Sequence, residues 1–225
     1  MSQFSRYIIL LLFIPCMFQC KTDAPKHEIK QNQKPASQPE KSNSDIQNGD
    51  IIFQTSKSSQ SEAIQLATHS PYSHMGLIYE EQGAFFVFEA VQPVKSTPLE
   101  AWIKRGENGH FVVKRLKNAE TVLTSAVLKK MKAAGTRFLG KDYDRYFEWS
   151  DEKIYCSELV WKIYQEAAGI QIGKLEHLAD FDLSSPAVKE KMRERYGSNV
   201  PMDELVISPA AMYHSDLLKT VIESN

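Results

Sequence analysis

Two runs rich in aromatic and β-branched residues, YSHMGLIY (72–79) and GAFFVFEAV (83–91), meet at the short polar connection EEQG (80–83). A connection this short joins only antiparallel neighbours, because parallel strands need a crossover of about a dozen residues or more. The chain is therefore committed to a hairpin. Alternation places His74, Gly76 and Ile78 on one side of the first strand and Ser73, Met75 and Leu77 on the other. In the second strand Phe85, Val87 and Glu89 share a face. A turn centred on Glu81 and Gln82 pairs Tyr79 with Ala84 and, counting outward, His74 with Glu89. Directly opposed residues have Cβ atoms about 5 Å apart. A three-residue loop instead sets His74 opposite Ala90, so the pairing depends on register. Glu89 follows Phe85, Phe86, Val87 and Phe88. A carboxylate in so apolar a strand must face solvent, find a partner or serve a function.

The remaining elements are a mixture of strands and helices. GDIIF (49–53) reads as a strand opened by a turn, and HFVVKRL (110–116) as another. SEAIQLAT (61–68) reads as a helix. Leu123, Val127, Leu128, Met131 and Ala134 recur at helical spacing through 121–135, with Gly135 as the expected C-cap. Cys156, Leu159, Val160, Ile163 and Ala167 form one apolar stripe on a helix that Gly169 ends. PAVKEKMRERYG (186–197) reads as a further helix, and Ser208-Pro209 as the start of another, since Ser caps well and Pro suits the first helical position.

The N-terminus sets the compartment. Arg6 is followed by YIILLLFIPCMFQC, an apolar run short of the ~20 residues a membrane span needs. A positive start, a short apolar core and a polar continuation are marks of a secretory signal, here residues 1–19. The run ends at Cys20 and resembles a bacterial lipoprotein signal, the alternatives being an ordinary cleaved signal or an uncleaved anchor. That resemblance implies a lipidated Cys20, a membrane anchor and an extracytoplasmic domain in the bacterial cell envelope. Residues 20–47 lack aromatics and hold only Ile29 and Ile46 as large aliphatics, so they read as a flexible tether to a domain at 48–225. With Cys16 removed and Cys20 lipidated, Cys156 has no partner for an intrachain disulfide. The formal net charge of −1 carries neither the basic excess of a nucleic-acid binder nor an acidic solvating tail.

A cysteine in the first turn of a helix feels the positive end of the helix dipole, which favours thiolate. Backbone N–H groups at the same terminus can hold a developing oxyanion. A histidine nearby supplies a general base, and a carboxylate behind it fixes the imidazole tautomer. Cys156, His74 and Glu89 are the residue types of such a triad. Taken singly, Cys156 on an apolar stripe equally suits core filling, and His74 a satisfied structural histidine. The residues give a reason for His74 to face Glu89 and none for Cys156 to meet His74. A metal site from His69, His74 and Cys156 is a weaker alternative, because His69 and His74 are five apart across Pro71, which is not a zinc-motif spacing; metal analysis of the purified protein decides it. Neither G-x-S-x-G nor H-E-x-x-H occurs.

Taken in order, GDIIF, YSHMGLIY, FVFEA and IYCSELVWKIY resemble the YiiX/YebB-like group of permuted papain-like hydrolases, relatives of NlpC-type cell-wall peptidases. The resemblance covers residues 48–215, and KDYDRYFEW (141–149) resembles the stretch before the cysteine helix in that group. It implies an α+β permuted papain-like (NlpC-type) fold, with an antiparallel sheet packed against the N-terminal end of the cysteine helix. It also implies a Cys156-His74-Glu89 amidase or peptidase-like site acting without a cofactor or metal. The expected substrate is a small molecule or peptide with an amide or ester bond, with Tyr143, Asp144 and Tyr155 as candidate residues on the substrate side. The competing expectation is a ligand-binding lipoprotein of the same fold that turns nothing over.

Overall fold

The structure, a computed structural model, describes residues 45–224. The signal segment, Cys20 and the tether up to residue 44 lie outside the described residues. In chain order the elements are β1 (Ile51–Gln54), α1 (Ser59–Thr68), β2 (His74–Glu81), β3 (Ala84–Glu89), β4 (Lys95–Pro98) and α2 (Leu99–Arg105). Then come β5 (Val112–Leu116), α3 (Ala119–Val122), α4 (Ser125–Thr136) and α5 (Cys156–Ala168). The chain finishes with β6 (Glu176–His177), α6 (Pro186–Tyr196), β7 (Leu205–Val206), α7 (Pro209–Tyr213) and β8 (Leu218–Glu223). Six strands form one antiparallel sheet in the order β4-β3-β2-β1-β5-β8, and β6 pairs with β7 apart from it.

The hairpin turns one residue later than expected. Glu81 pairs with Ala84 and Leu77 with Phe88, so only Gln82 and Gly83 form the loop. Both have positive φ, 53° and 80°, as a type I′ turn requires, and that turn matches the twist of the strands it joins. Tyr79 consequently pairs with Phe86 rather than Ala84. A shift of two residues preserves the face on which each side chain lies. His74 and Glu89 therefore stay on one face, as diagonal neighbours instead of an opposed pair. Carried one residue further, the same register sets Gly76 opposite Glu89.

Each face of the sheet has its own apolar layer. Ile51, Phe53, Met75, Leu77, Phe88 and Val112 pack with Met131 of α4 and with Leu159, Val160 and Ile163 of α5. Ile52, Ile78, Val87 and Val113 pack on the other side with Leu99 and Trp102 of α2. Ile46 belongs to this second layer and is 4% exposed, so folded sequence begins inside the segment read as tether. The expected helix at 121–135 is divided, because the Thr124 hydroxyl accepts the N–H of Val127 and starts α4 afresh. Gly135 lies within α4 instead of capping it. A Cβ there would lie 3.1 Å from the Phe88 ring and 3.3 Å from Ile163, so the missing side chain permits close approach of helix and sheet. Gly169 does end α5, in the left-handed conformation. Ser185 and Ser208 cap α6 and α7, each with Pro at the start of the helix.

Candidate active site

Cys156 opens α5, with Tyr155 as the extended N-cap residue, and only 3% of the cysteine is exposed. The apolar stripe on α5 is buried against β2 and α4, which fixes where the first turn points. His74 opens β2 and sits at the end of its strand, 8% exposed. Its Nε2 lies 2.6 Å from Oε2 of Glu89. The Cys156 side chain is close enough to His74 to favour its protonated form. With Nε2 committed to Glu89, Nδ1 is the ring nitrogen left for the thiol.

Glu89 is wholly buried and serves as a hub. Besides His74 it accepts from the Thr97 hydroxyl at 2.6 Å, from the Trp102 indole N–H at 2.9 Å and from the Arg105 guanidinium. The Trp102 ring also stacks on His74, with ring centres 5.8 Å apart. These contacts fix the charges. Burial opposes ionisation of Glu89, but His74, Arg105 and Thr97 outweigh it and hold its pKa down to about 2. Burial likewise opposes protonation of His74, and the neighbouring Cys156 and Glu89 reverse that effect, lifting its pKa to about 9. The arrangement favours an imidazolium clamped between a carboxylate and a sulfur.

Of the other three sequence candidates, only Tyr143 lines the cleft beside His74. A parallel bridge pins it to Ile154, two residues before the cysteine. Its hydroxyl accepts the Gln60 amide N–H at 2.9 Å, and burial together with the neighbouring Cys156 pushes the phenol up. Asp144 turns the other way. It is 1% exposed and spends its carboxylate on the N–H groups of Tyr146 and Glu148, so it shapes the loop. Tyr155 is 2% exposed, and its hydroxyl accepts the N–H of Ile207, a packing role. His69 caps α1 and pairs with Asp182 at 3.2 Å, away from His74. The cleft holds about 610 Å³ and opens on His74, with Ser73, Gln92 and Arg105 among its walls.

Thr97, Trp102 and Arg105 were missed in the sequence, as was Gln60. The available signal was LEAWIKR (99–105). It sets Trp102 and Arg105 three apart, on one helical face.

Comparisons with known proteins bear on the family and the fold. The profile of the family described as "Permuted papain-like amidase enzyme, YaeF/YiiX, C92 family" matches residues 45–222. The chain is 51% identical over 175 residues to the uncharacterized protein YiiX of Escherichia coli (strain K12), covering 78% of this chain and 85% of that relative. A crystal structure described as metalloprotein yiiX from Escherichia coli O157:H7 superposes with a TM-score of 0.76 at 50% identity, covering 79% of this chain and 97% of that one.

Proposed function

This chain belongs to the permuted papain-like amidase family C92, and from that premise we propose that it opens an amide or ester carbonyl through Cys156, His74 and Glu89. The observation that carries the proposal is His74, held at 2.6 Å by the buried Glu89 and near enough to Cys156 to feel its side chain. His74 holds the thiol proton, and the sulfur attacks the carbonyl carbon. The backbone N–H of Cys156 donates to the oxyanion. Collapse breaks the C–N or C–O bond as His74 protonates the leaving amine or alcohol, leaving a thioester on Cys156. His74 then takes a proton from water, which releases the carboxylic acid and restores the thiol. Glu89 keeps the ring oriented and its charge balanced throughout. Thr97, Trp102 and Arg105 act through Glu89 and are positioning residues.

The crystallised relative is described as a metalloprotein. Among the described residues of this chain, no group of three His, Cys, Asp or Glu side chains is arranged to hold a metal ion. The Glu89 carboxylate is already engaged by His74, Thr97, Trp102 and Arg105. The donor set does not fit a metal, and the mechanism takes no step through one.

The proposal extends to place. The hydrolase acts on an envelope peptide or acyl substrate while held at the membrane through lipid on Cys20. Incorporation of a labelled fatty acid that disappears in Cys20→Ala checks the anchor. The chemistry is checked by intact mass after reaction with p-nitrophenyl acetate. One acetyl group on Cys156, lost in Cys156→Ser, is expected. A protein that remains unacylated while other esters and amides also go uncleaved fits the ligand-binding alternative and ends the proposal.

A further inference from the structure

The cleft beside His74 carries more positive charge than the site chemistry uses. Besides His74, four cations line it, Arg105, Arg145, Lys191 and Arg195, against one carboxylate, Glu194. Arg105 is spent on Glu89. Lys191 is spent on Glu194. Among the described residues, Arg145 and Arg195 have no carboxylate within ion-pair distance, and Glu194 feels both only at longer range. The whole chain carries −1, so this local excess is a property of the cleft and not of the composition.

Arg195 is also held in place. Its Nη2 donates to Oε1 of Gln60 at 2.8 Å, and Nε2 of the same amide donates to the Tyr143 hydroxyl at 2.9 Å. The guanidinium lies over the Phe147 ring, 4.8 Å from its centre. Tyr143 in turn interacts with both Cys156 and Arg195. A relay of two hydrogen bonds thus spans α6, α1 and the loop before α5, and ties the guanidinium to the amide that also holds the Tyr143 phenol. A planar guanidinium with free N–H groups matches carboxylate and phosphate oxygens, and holding it in advance lowers the entropy lost on binding.

We propose that Arg195 and Arg145 determine specificity in this cleft by binding a carboxylate or phosphate group that the substrate carries near its scissile carbonyl. The substrate class is then an anionic amide or ester, an inference that rests on the catalytic reading for the position of the scissile bond. Tyr143 and Gln60 are the positioning pair that keeps Arg195 facing the cleft.

The test compares alkylation of Cys156 by iodoacetate, which is anionic, with alkylation by the neutral iodoacetamide. The ratio of the two rates is the readout, so a general change in thiol reactivity cancels. In the full chain at low ionic strength iodoacetate is favoured. The preference falls by about threefold to tenfold in Arg145→Gln/Arg195→Gln, and declines with added salt in the wild type. Arg145→Gln alone, at an exposed position, gives an intermediate ratio and covers the case in which loss of Arg195 disturbs folding. A second readout needs no reactive thiol: succinate or inorganic phosphate raises the melting temperature of the wild type, and the double variant loses that shift. A shift with succinate alone assigns a carboxylate, and one with phosphate alone assigns a phosphate. An unchanged rate ratio, or an anion-induced shift that survives the double substitution, overturns the proposal. A slow thiol combined with an intact anion shift defeats the catalytic reading and leaves the anion site standing.

Discussion

Gly76 ties the sheet to the candidate site, and replacing it with alanine separates a packing account from a purely local one. A Cβ at position 76 would lie 2.4 Å from Cγ1 of Val87, 2.9 Å from the carbonyl oxygen of Phe88 and 3.3 Å from Cβ of Glu89. Val87 is fully buried and stiff at χ1, so it has nowhere to turn. The Phe88 oxygen belongs to the strand backbone and moves only if β3 moves. Overpacking of this kind costs about 1–3 kcal/mol. For a domain of this size that lowers the melting temperature by about 2–12 °C. The strain falls on Glu89, whose displacement loosens His74, and a small misplacement of a catalytic group lowers rates by a factor of ten or more (order of magnitude). Gly76→Ala should therefore melt early and also alkylate Cys156 about tenfold more slowly. Gly83→Ala is the matched control. Its φ of +80° imposes a left-handed strain of about 1–2 kcal/mol, but nothing lies within 4 Å of the new methyl group. It should melt early and alkylate normally. Circular dichroism melts and mass-resolved alkylation read both quantities. A Gly76→Ala protein with wild-type melting and wild-type alkylation refutes the reasoning.

Other outcomes follow from Glu89 and its partners. Glu89→Ala leaves the Thr97, Trp102 and Arg105 donors without their acceptor and should cost about 3–5 kcal/mol in denaturant melts. Glu89→Gln keeps an acceptor and should cost clearly less; equal losses contradict the hub. Trp102→Phe retains stacking on His74 but removes the indole donor, so stability should fall by about 1 kcal/mol, with slower alkylation of Cys156. The pH dependence has two limbs. Glu89 has a folded pKa below its ordinary 4.5, so its contribution is present above about 4.5 and is lost as pH falls towards 2. His74 has a folded pKa above its ordinary 6.5, so its contribution is complete below about 6.5 and is lost as pH rises through about 9. Denaturant melts across that alkaline window should show the wild type weakening and His74→Ala holding level.

Local periodicity made the hairpin and the cysteine helix legible, and with them the shared face of His74 and Glu89. That reading survived an error in register because the error was two residues, an even number. Gln82 in the left-handed conformation was the missing piece, since a glutamine carries no turn signal of its own. The stripe on α5 came through intact because every position in it packs against the core. The contact between Cys156 and His74 was not legible. It depends on how α5 lies against the sheet, which no local pattern encodes. The partners of Glu89 were hidden for the same reason: Thr97 comes from a short edge strand and Trp102 and Arg105 from a seven-residue helix. Asp144 and Tyr155 have the residue types of a site, but composition does not say which way a side chain points, and both point inward. Tyr143, one residue from Asp144, faces the cleft because the bridge to Ile154 turns it there.

The most direct test of the central claim is the rate at which iodoacetamide alkylates Cys156 in the full chain, measured near neutral pH beside His74→Ala. A thiol activated by His74 should react at least about tenfold faster in the wild type than in the variant, since a positioned base contributes a factor of this order or more. Equal and slow rates in both proteins would contradict the account and leave Cys156 as a buried core residue at the start of a helix.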